Sequence, residues 1–333
     1  MNTRIKFLAM GLVGLLIVVG LFQFRPQNDF PDNKPGELID FVVADGELGS
    51  SIATNLEKLG VIKSASRFVE EFTRDPKAQG ISAGSHSIEL HIPASVAISQ
   101  LLDSKRLNNL LVVKEGSTFA DVMNLLMRND HISKSNSGYS TVKSLFPANT
   151  KSLEGSLFPA HYSFAPGTSL SDALETMVKK AKVESFGTGI NTGFDKYKPF
   201  DVLTIASMVQ VEGDAKDFSK VARVIYNRLK IGMALQLNST VQYAANLRGK
   251  ITLSNNATKI NSPYNTYKHV GLPPTPISNP SLDAITASLK PASGDWLYFI
   301  TVAPGDTRFT KDFAEFSNWN TEFNKNVAAG KFK

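Results

Sequence analysis

One carboxylate in this sequence stands in a setting suited to proton transfer. Asp201 to Gly213 reads DVLTIASMVQVEG, and only Thr204, Ser207 and Gln210 interrupt its apolar character before Glu212. A helix apolar nearly all round is a buried helix. Asp201 is its predicted N-cap. Ile205, Met208, Val209 and Glu212 fall at i, i+3, i+4 and i+7, which stacks them on one stripe. Glu212 therefore projects from the final turn on an apolar face, just before a glycine. Desolvation there disfavours the carboxylate and raises its pKa, the condition for a general acid near neutral pH. Two plainer readings stand beside this one: Glu212 lies past the helix end in solvent, or it pairs with Arg228 or Lys230.

Other chemistries find less support. The chain has no cysteine, which excludes a disulfide framework, a thiolate zinc site, an iron–sulfur cluster and a cysteine nucleophile. Its five histidines (His86, His91, His131, His161, His269) show neither H-x-x-H nor H-E-x-x-H spacing, so no metal and no cofactor is expected. No G-x-S-x-G elbow occurs. Gly187, Gly189 and Gly193 follow no β-branched strand and precede no Lys-Ser/Thr, unlike a phosphate loop. With 36 Lys+Arg against 30 Asp+Glu, the net charge of +6 is mild and unclustered. It suits an anionic surface or polymer without pointing to nucleic acid.

The elements around Glu212 point to a neutral ligand. Asp217 is the predicted cap of a second helix, Phe218 to Ile231, stopped by Gly232, with Ala222, Ile225, Tyr226 and Leu229 as its packing stripe. GMALQLNSTVQY (232–243), SPYNTY (262–267) and GLPPTPISNP (271–280) follow, rich in Asn, Gln, Tyr and Pro. Amides exchange hydrogen bonds with hydroxyls, and rings cover flat sugar faces, so these loops suit a polyhydroxylated ligand. Upstream, Ser169 to Lys182 reads as a helix capped by Ser169, and Glu184 to Pro199 as a loop.

These motifs, in this order, resemble the YceG/MltG family of membrane-anchored endolytic murein transglycosylases, over roughly Phe41 to Phe323. LEGSLFP (153–159) with Tyr162 is similar to E-G-x-L-F-P-x-T-Y, ASMVQVEG (206–213) to A-S-[IL]-[VI]-E-x-E, and VIYNRL (224–229) to V-[IF]-x-N-R-L. Gly232 to Tyr243 is similar to G-M-x-L-Q-x-D-P-T-V-x-Y, and SPYNTY, GLPPTPISNP and LYF (297–299) follow. Three departures stand out. Gln210 replaces the first of two acids in the A-S helix, Asn238-Ser239 replaces D-P, and Thr307-Arg308-Phe309 replaces H-x-F. The resemblance implies cleavage of the β-1,4 bond between N-acetylmuramic acid and N-acetylglucosamine to give 1,6-anhydro ends. It places the general acid/base at Glu212, and Glu154, Asn227, Gln236, Asn265 and Tyr267 are candidates for substrate positioning, each with a structural role as its equal alternative. Glu154, beside Gly155, has a turn-bracing role as its alternative. A hydrolytic muramidase would require a second carboxylate, for which Glu154 and Asp214 are the nearby choices. A non-catalytic, tethered wall-binding scaffold is the alternative from another class.

The remaining sequence organises the chain. Phe7 to Phe24 carries no charged residue and spans about 27 Å as a helix, near the roughly 30 Å of a bilayer core. Arg4 and Lys6 precede it, which predicts a cytoplasmic N-terminus and a retained anchor. Residues 25–38 hold three prolines and read as an extended linker. Phe41–Ile62 and Leu111–Ile132 align without gaps, matching at Val42/Val112, Val43/Val113, Gly46/Gly116, Leu56/Leu126 and Ile62/Ile132. Each copy reads as strand, glycine turn and amphipathic helix. Between them Ser64–Phe72 and Ser95–Leu102 read as helices, and Gly84–Ile92 as a strand.

The expected fold is α+β. A cytoplasmic N-terminus (1–6), a transmembrane helix (7–24) and a linker (25–38) precede a small α+β lobe with the internal repeat (39–135). By its residues that lobe reads equally as a binding module or as a spacer holding the next lobe away from the membrane; the resemblance makes it LysM-like and 136–333 the catalytic transglycosylase lobe. The expected partners are peptidoglycan glycan strands, the membrane and cell-wall synthesis proteins, with the catalytic part extracytoplasmic and no nucleic acid.

Overall fold

The computed structural model describes residues 29–332 except 33, 45, 135–151 and 248–256. The expected anchor at 7–24 lies outside the described residues, among which no helix is long and apolar enough to cross a membrane. Ten helices and four two-stranded sheets occur among the described residues, an α+β architecture. The chain divides into two compact units, one ending at Leu110 and joined by 163–165, the other holding 111–162 and 166 onward.

In the first unit, β1 (Leu38–Val43) pairs antiparallel with β2 (Gly84–Glu89), from Leu38 opposite Glu89 to Val43 opposite Gly84. Alternation along β1 turns Phe41 and Val43 inward and Val42 out to solvent. Three helices complete the core: α1 (Gly49–Lys58), α2 (Ala65–Arg74) and α3 (Ala94–Leu102). They bury Ile52, Leu56, Phe68, Ile98 and Leu101. Ser64 caps α2 by accepting from Arg67 N. The expected strand at 84–92 is shorter, ending at Glu89.

The second unit opens with the second repeat copy. β3 (Leu111–Val112) and α4 (Phe119–Arg128) reproduce the strand–turn–helix order of β1 and α1. Gly46 and Gly116 hold the turns at φ 71° and 75°, where a side chain would be strained. Val43/Val113, Ile52/Val122, Leu56/Leu126 and Ile62/Ile132 are buried in both copies. The copies differ in their strand partners. β3 pairs antiparallel with β5 (His161–Tyr162), and β4 (Ile132–Ser133) runs parallel to β6 (Thr168–Ser169). The division at Leu110 puts the two copies in different units.

Beyond the repeat, α5 (Leu170–Phe186) is capped by Ser169, which accepts from Asp172 N at 3.1 Å. It runs into the stretch expected as loop from Glu184, and a short 3-10 turn at Ile190–Thr192 follows. α6 (Pro199–Glu212) is the buried helix of the sequence reading, begun one turn early by Pro199. Asp201 is therefore not its N-cap. It sits in the first turn and accepts from Lys198 N at 2.9 Å.

α7 (Phe218–Lys230) stops as expected, but Asp217 makes no side-chain cap. A 3-10 turn at Ala215–Asp217 leads straight into α7 and uses Asp217 N for the Asp214 carbonyl, 2.8 Å away. α8 (Asn238–Ala244) and α9 (Leu282–Leu289) complete this layer. Ile205, Met208 and Val209 of α6 meet Val221, Ala222 and Ile225 of α7 and Ala284 of α9 in one core. The hairpin β7 (Tyr298–Ala303) and β8 (Asp306–Thr310) carries α10 (Phe313–Ala328).

Candidate active site

The polar interruptions of α6 serve as its attachments. Ser207 Oγ donates to Thr204 O at 2.7 Å and accepts from Ile277 N at 3.0 Å. Ser278 Oγ donates to Ser207 O, and Gln210 Oε1 accepts from Ser281 N at 2.8 Å. The proline-rich 271–280 segment is thus bound along the buried helix. Those bonds satisfy groups that would otherwise be costly inside the protein. Gly213, extended at φ −148° and ψ 169°, ends the helix directly after Glu212.

Glu212 as a residue is half-buried, with its carboxyl end desolvated. Burial pushes this acid above the usual carboxylate range. Ser239 and, more weakly, the positive charge of Arg228 oppose that rise. Ser239 donates twice to Glu212 Oε1, from its backbone N at 3.2 Å and from its hydroxyl. Among the described residues no hydrogen bond is made to Oε2. The Glu212 charge and burial together raise the Tyr267 phenol, with burial the larger cause. Tyr267 donates its hydroxyl proton to Asn238 Oδ1 at 2.6 Å.

Arg228 reaches this cluster from α7 and is only 7% exposed. Its Nε donates to Leu297 O at 2.6 Å and its Nη1 to Leu235 O at 2.5 Å. Its guanidinium also lies over the Tyr298 ring, 5.3 Å from the centroid. The cation therefore ties the loop before α8 to the start of β7, beside the acid. Burial lowers its own pKa while the Glu212 charge counters that.

The other residues expected at the site fall into two groups. Gln236 and Tyr267 lie on the segments flanking Ser239 and the acid. Gln236 is exposed and takes φ 49°, with its N donating to Thr266 O at 3.1 Å. Glu154, Asn227 and Asn265 are engaged internally. Glu154, 3% exposed, accepts from Phe119 N at the start of α4 and from the Tyr243 hydroxyl, both at 2.9 Å. Asn227 Nδ2 donates to the carbonyls of Gly294 and Trp296. Asn265, fully buried, donates to Thr258 O and Ile260 O and accepts from Tyr267 N.

Ser239 is not among the residues whose type and spacing suggest a role at the site. It stands where the resembled motif has proline, and that very departure was the available signal. By sequence alone Arg228 reads only as a structural partner for Glu212. Nothing in the spacing shows that its fork would close on two carbonyls instead. Among the described residues no cluster of His, Asp and Glu is placed to hold a metal ion.

The YceG-like family model matches residues 41–322. An endolytic murein transglycosylase of Bacillus subtilis (strain 168) is 31% identical over 324 residues, covering 90% of this chain and 89% of that protein. One of Streptococcus pneumoniae serotype 2 is 37% identical over 182 residues, 53% of this chain and 32% of that protein. A crystal structure of a YceG-like protein from Listeria monocytogenes superposes with a TM-score of 0.56 at 27% identity. That match covers 85% of this chain and 99% of that one.

Proposed function

Because this chain belongs to the YceG-like family, we propose that it is an endolytic murein transglycosylase, with Glu212 as its general acid and base. The observation that carries the residue assignment is the desolvated carboxyl of Glu212, held at Oε1 by Ser239. Protonated Glu212 donates to the glycosidic oxygen as the bond to the muramyl C1 breaks and oxocarbenium character develops. The resulting carboxylate then takes the proton from the muramyl C6 hydroxyl as its oxygen bonds to C1, closing a 1,6-anhydro ring. The acid ends in its starting state and no water enters the products.

Hydrolysis of the same bond would need a second carboxylate to activate water or attack the sugar. In the intramolecular route the nucleophile is already part of the substrate, and proximity replaces that second group. The surroundings of Glu212 favour the intramolecular route. Both oxygens of Glu154 are engaged by Phe119 N and Tyr243, and Asp214 is exposed on the turn after Gly213. Gln236 and Tyr267 are the residues best placed to contact the glycan. Glu154, Asn227 and Asn265 hold the framework around it.

The apolar run at 7–24 supports a single-pass anchor in the cell membrane, with a cytoplasmic N-terminus and the catalytic part outside. The family resemblance supports a LysM-like, glycan-binding role for the first unit, where Leu48, Gly49, Phe72 and Gln79 border a cavity of about 430 Å³. The test is digestion of purified murein by the full chain and by Glu212→Gln, with products separated by mass. Anhydro-ended fragments from the wild type and none from the variant are expected. Equal release by both removes Glu212 from the chemistry.

A further inference from the structure

Ser239 makes the most unusual contact near the acid. Its backbone N–H and its hydroxyl both end on the same oxygen, Glu212 Oε1. The segment that carries Ser239 is itself fixed. Leu237 N donates to Thr266 Oγ1 at 3.0 Å, and Thr240 Oγ1 donates to Leu237 O at 2.8 Å. The Thr240 and Thr266 hydroxyls are 2.9 Å apart, and Asn238 receives the Tyr267 hydroxyl. Ser239 thus meets the carboxyl from a bonded frame.

We propose that Ser239 is a positioning residue that assigns the two oxygens of Glu212 different jobs, holding Oε1 as a permanent acceptor and leaving Oε2 to carry the transferred proton. This rests on the reading of Glu212 as the acid and base. Two donors directed at one oxygen occupy its lone pairs, so the neutral acid carries its proton on the other oxygen. The proton is then presented in one direction rather than shared between two. After transfer the same two donors stabilise the carboxylate, since hydrogen bonds to an ionised acceptor are about twice as strong as neutral ones.

The arrangement has a consequence for pH. Burial favours the neutral form of Glu212, while Ser239 favours the charged one. The other groups facing the carboxyl are Arg228 from α7 and Tyr267 from the segment after Asn265. Arg228 also favours the carboxylate. Tyr267 is neutral below its raised pKa and adds no charge in the working range. Ser239 therefore limits how far burial raises the acid, and so how far into alkaline pH the donor stays protonated.

The test is the pH profile of murein cleavage by the full chain, its rate read from anhydro-ended products, for Ser239→Ala, Ser239→Thr, Ser239→Pro and Glu212→Gln. Alanine removes the hydroxyl and keeps the N–H. Proline removes both donors and is tolerated in the first turn of a helix. Threonine retains both. Loss of the hydroxyl should move the alkaline limb up by about one pH unit. Proline should move it further, and threonine should leave it in place. KM should be unchanged while kcat at the optimum falls severalfold in the alanine and proline variants.

Alkaline limbs of the alanine and proline variants that coincide with wild type, whatever their rates, overturn the proposal. The limb reports the acid itself, so variants that fold in lower yield still give the answer. Loss of anhydro products in Glu212→Gln alongside unmoved limbs would leave the acid assignment standing and remove Ser239 from it. Anhydro products from Glu212→Gln would remove both.

Discussion

Replacing Arg228 by Met separates two jobs that one side chain performs. The guanidinium is 7% exposed and donates to Leu235 O and Leu297 O at 2.5 and 2.6 Å. Hydrogen bonds from a charged donor contribute about 1.5–3 kcal/mol each, and the buried carbonyls left behind add their own desolvation cost. Against this, removal of the cation relieves its burial, which lowers the Arg228 pKa. A net loss of roughly 3 kcal/mol is expected. For a unit of this size that is a fall in Tm of about 6–12 °C. The second effect is electrostatic. Arg228 favours the Glu212 carboxylate, so its removal raises the acid further and moves the alkaline limb of activity upward, by less than loss of Ser239 does. Arg228→Lys keeps the charge but lacks the planar fork that reaches both carbonyls. It should lose most of the stability while leaving the limb in place. Thermal unfolding and a pH–rate profile on both variants provide the check. A methionine variant as stable as wild type, or a limb that moves to lower pH, refutes the reasoning.

Four further outcomes follow from the same geometry. Glu212→Gln should raise Tm at neutral and alkaline pH. Burial raises the Glu212 pKa on folding, so its contribution to stability is full below the unfolded value and lost as pH rises through the folded one. Melting curves across pH should show the gain vanish in acid, and a constant difference would contradict the assignment. Glu154→Ala removes the acceptor of Phe119 N and Tyr243 Oη, and should cost about 2–4 kcal/mol in denaturant unfolding without shifting the limb. Asn265→Ala removes two donors and one acceptor at a fully buried site and should destabilise by roughly 2–3 kcal/mol by the same measurement. Gly155→Ala meets a φ of 80° and a Pro276 Cβ only 2.6 Å from the new methyl, so a loss of about 2 kcal/mol or more is expected.

Much of this molecule could be read from the chain. The stripe Ile205, Met208, Val209 and Glu212 placed the acid at the end of a buried helix because helical period and apolar run agreed. The repeat was legible because the same positions are buried twice. What sequence could not show were the long-range partners. Asp201 looked like a cap by residue type, yet Pro199 started α6 earlier and moved it inside the first turn. Asp217 had the right chemistry for a cap, but the preceding 3-10 turn left its side chain without that bond. Glu154, Asn227 and Asn265 carry polar groups of the kind that recognise sugars. Tertiary packing turned those groups onto backbone atoms and Tyr243 instead. Ser239 was hidden because its importance lies in a contact 27 positions away.

The central claim is that Glu212 drives an intramolecular cleavage of the glycan. Digestion of purified murein by the full chain in heavy-oxygen water, with products read by mass, tests it most directly. New ends lighter by one water than reducing ends and free of label are expected, and they should disappear in Glu212→Gln. Labelled reducing ends, or unlabelled anhydro ends that persist in the variant, would contradict it.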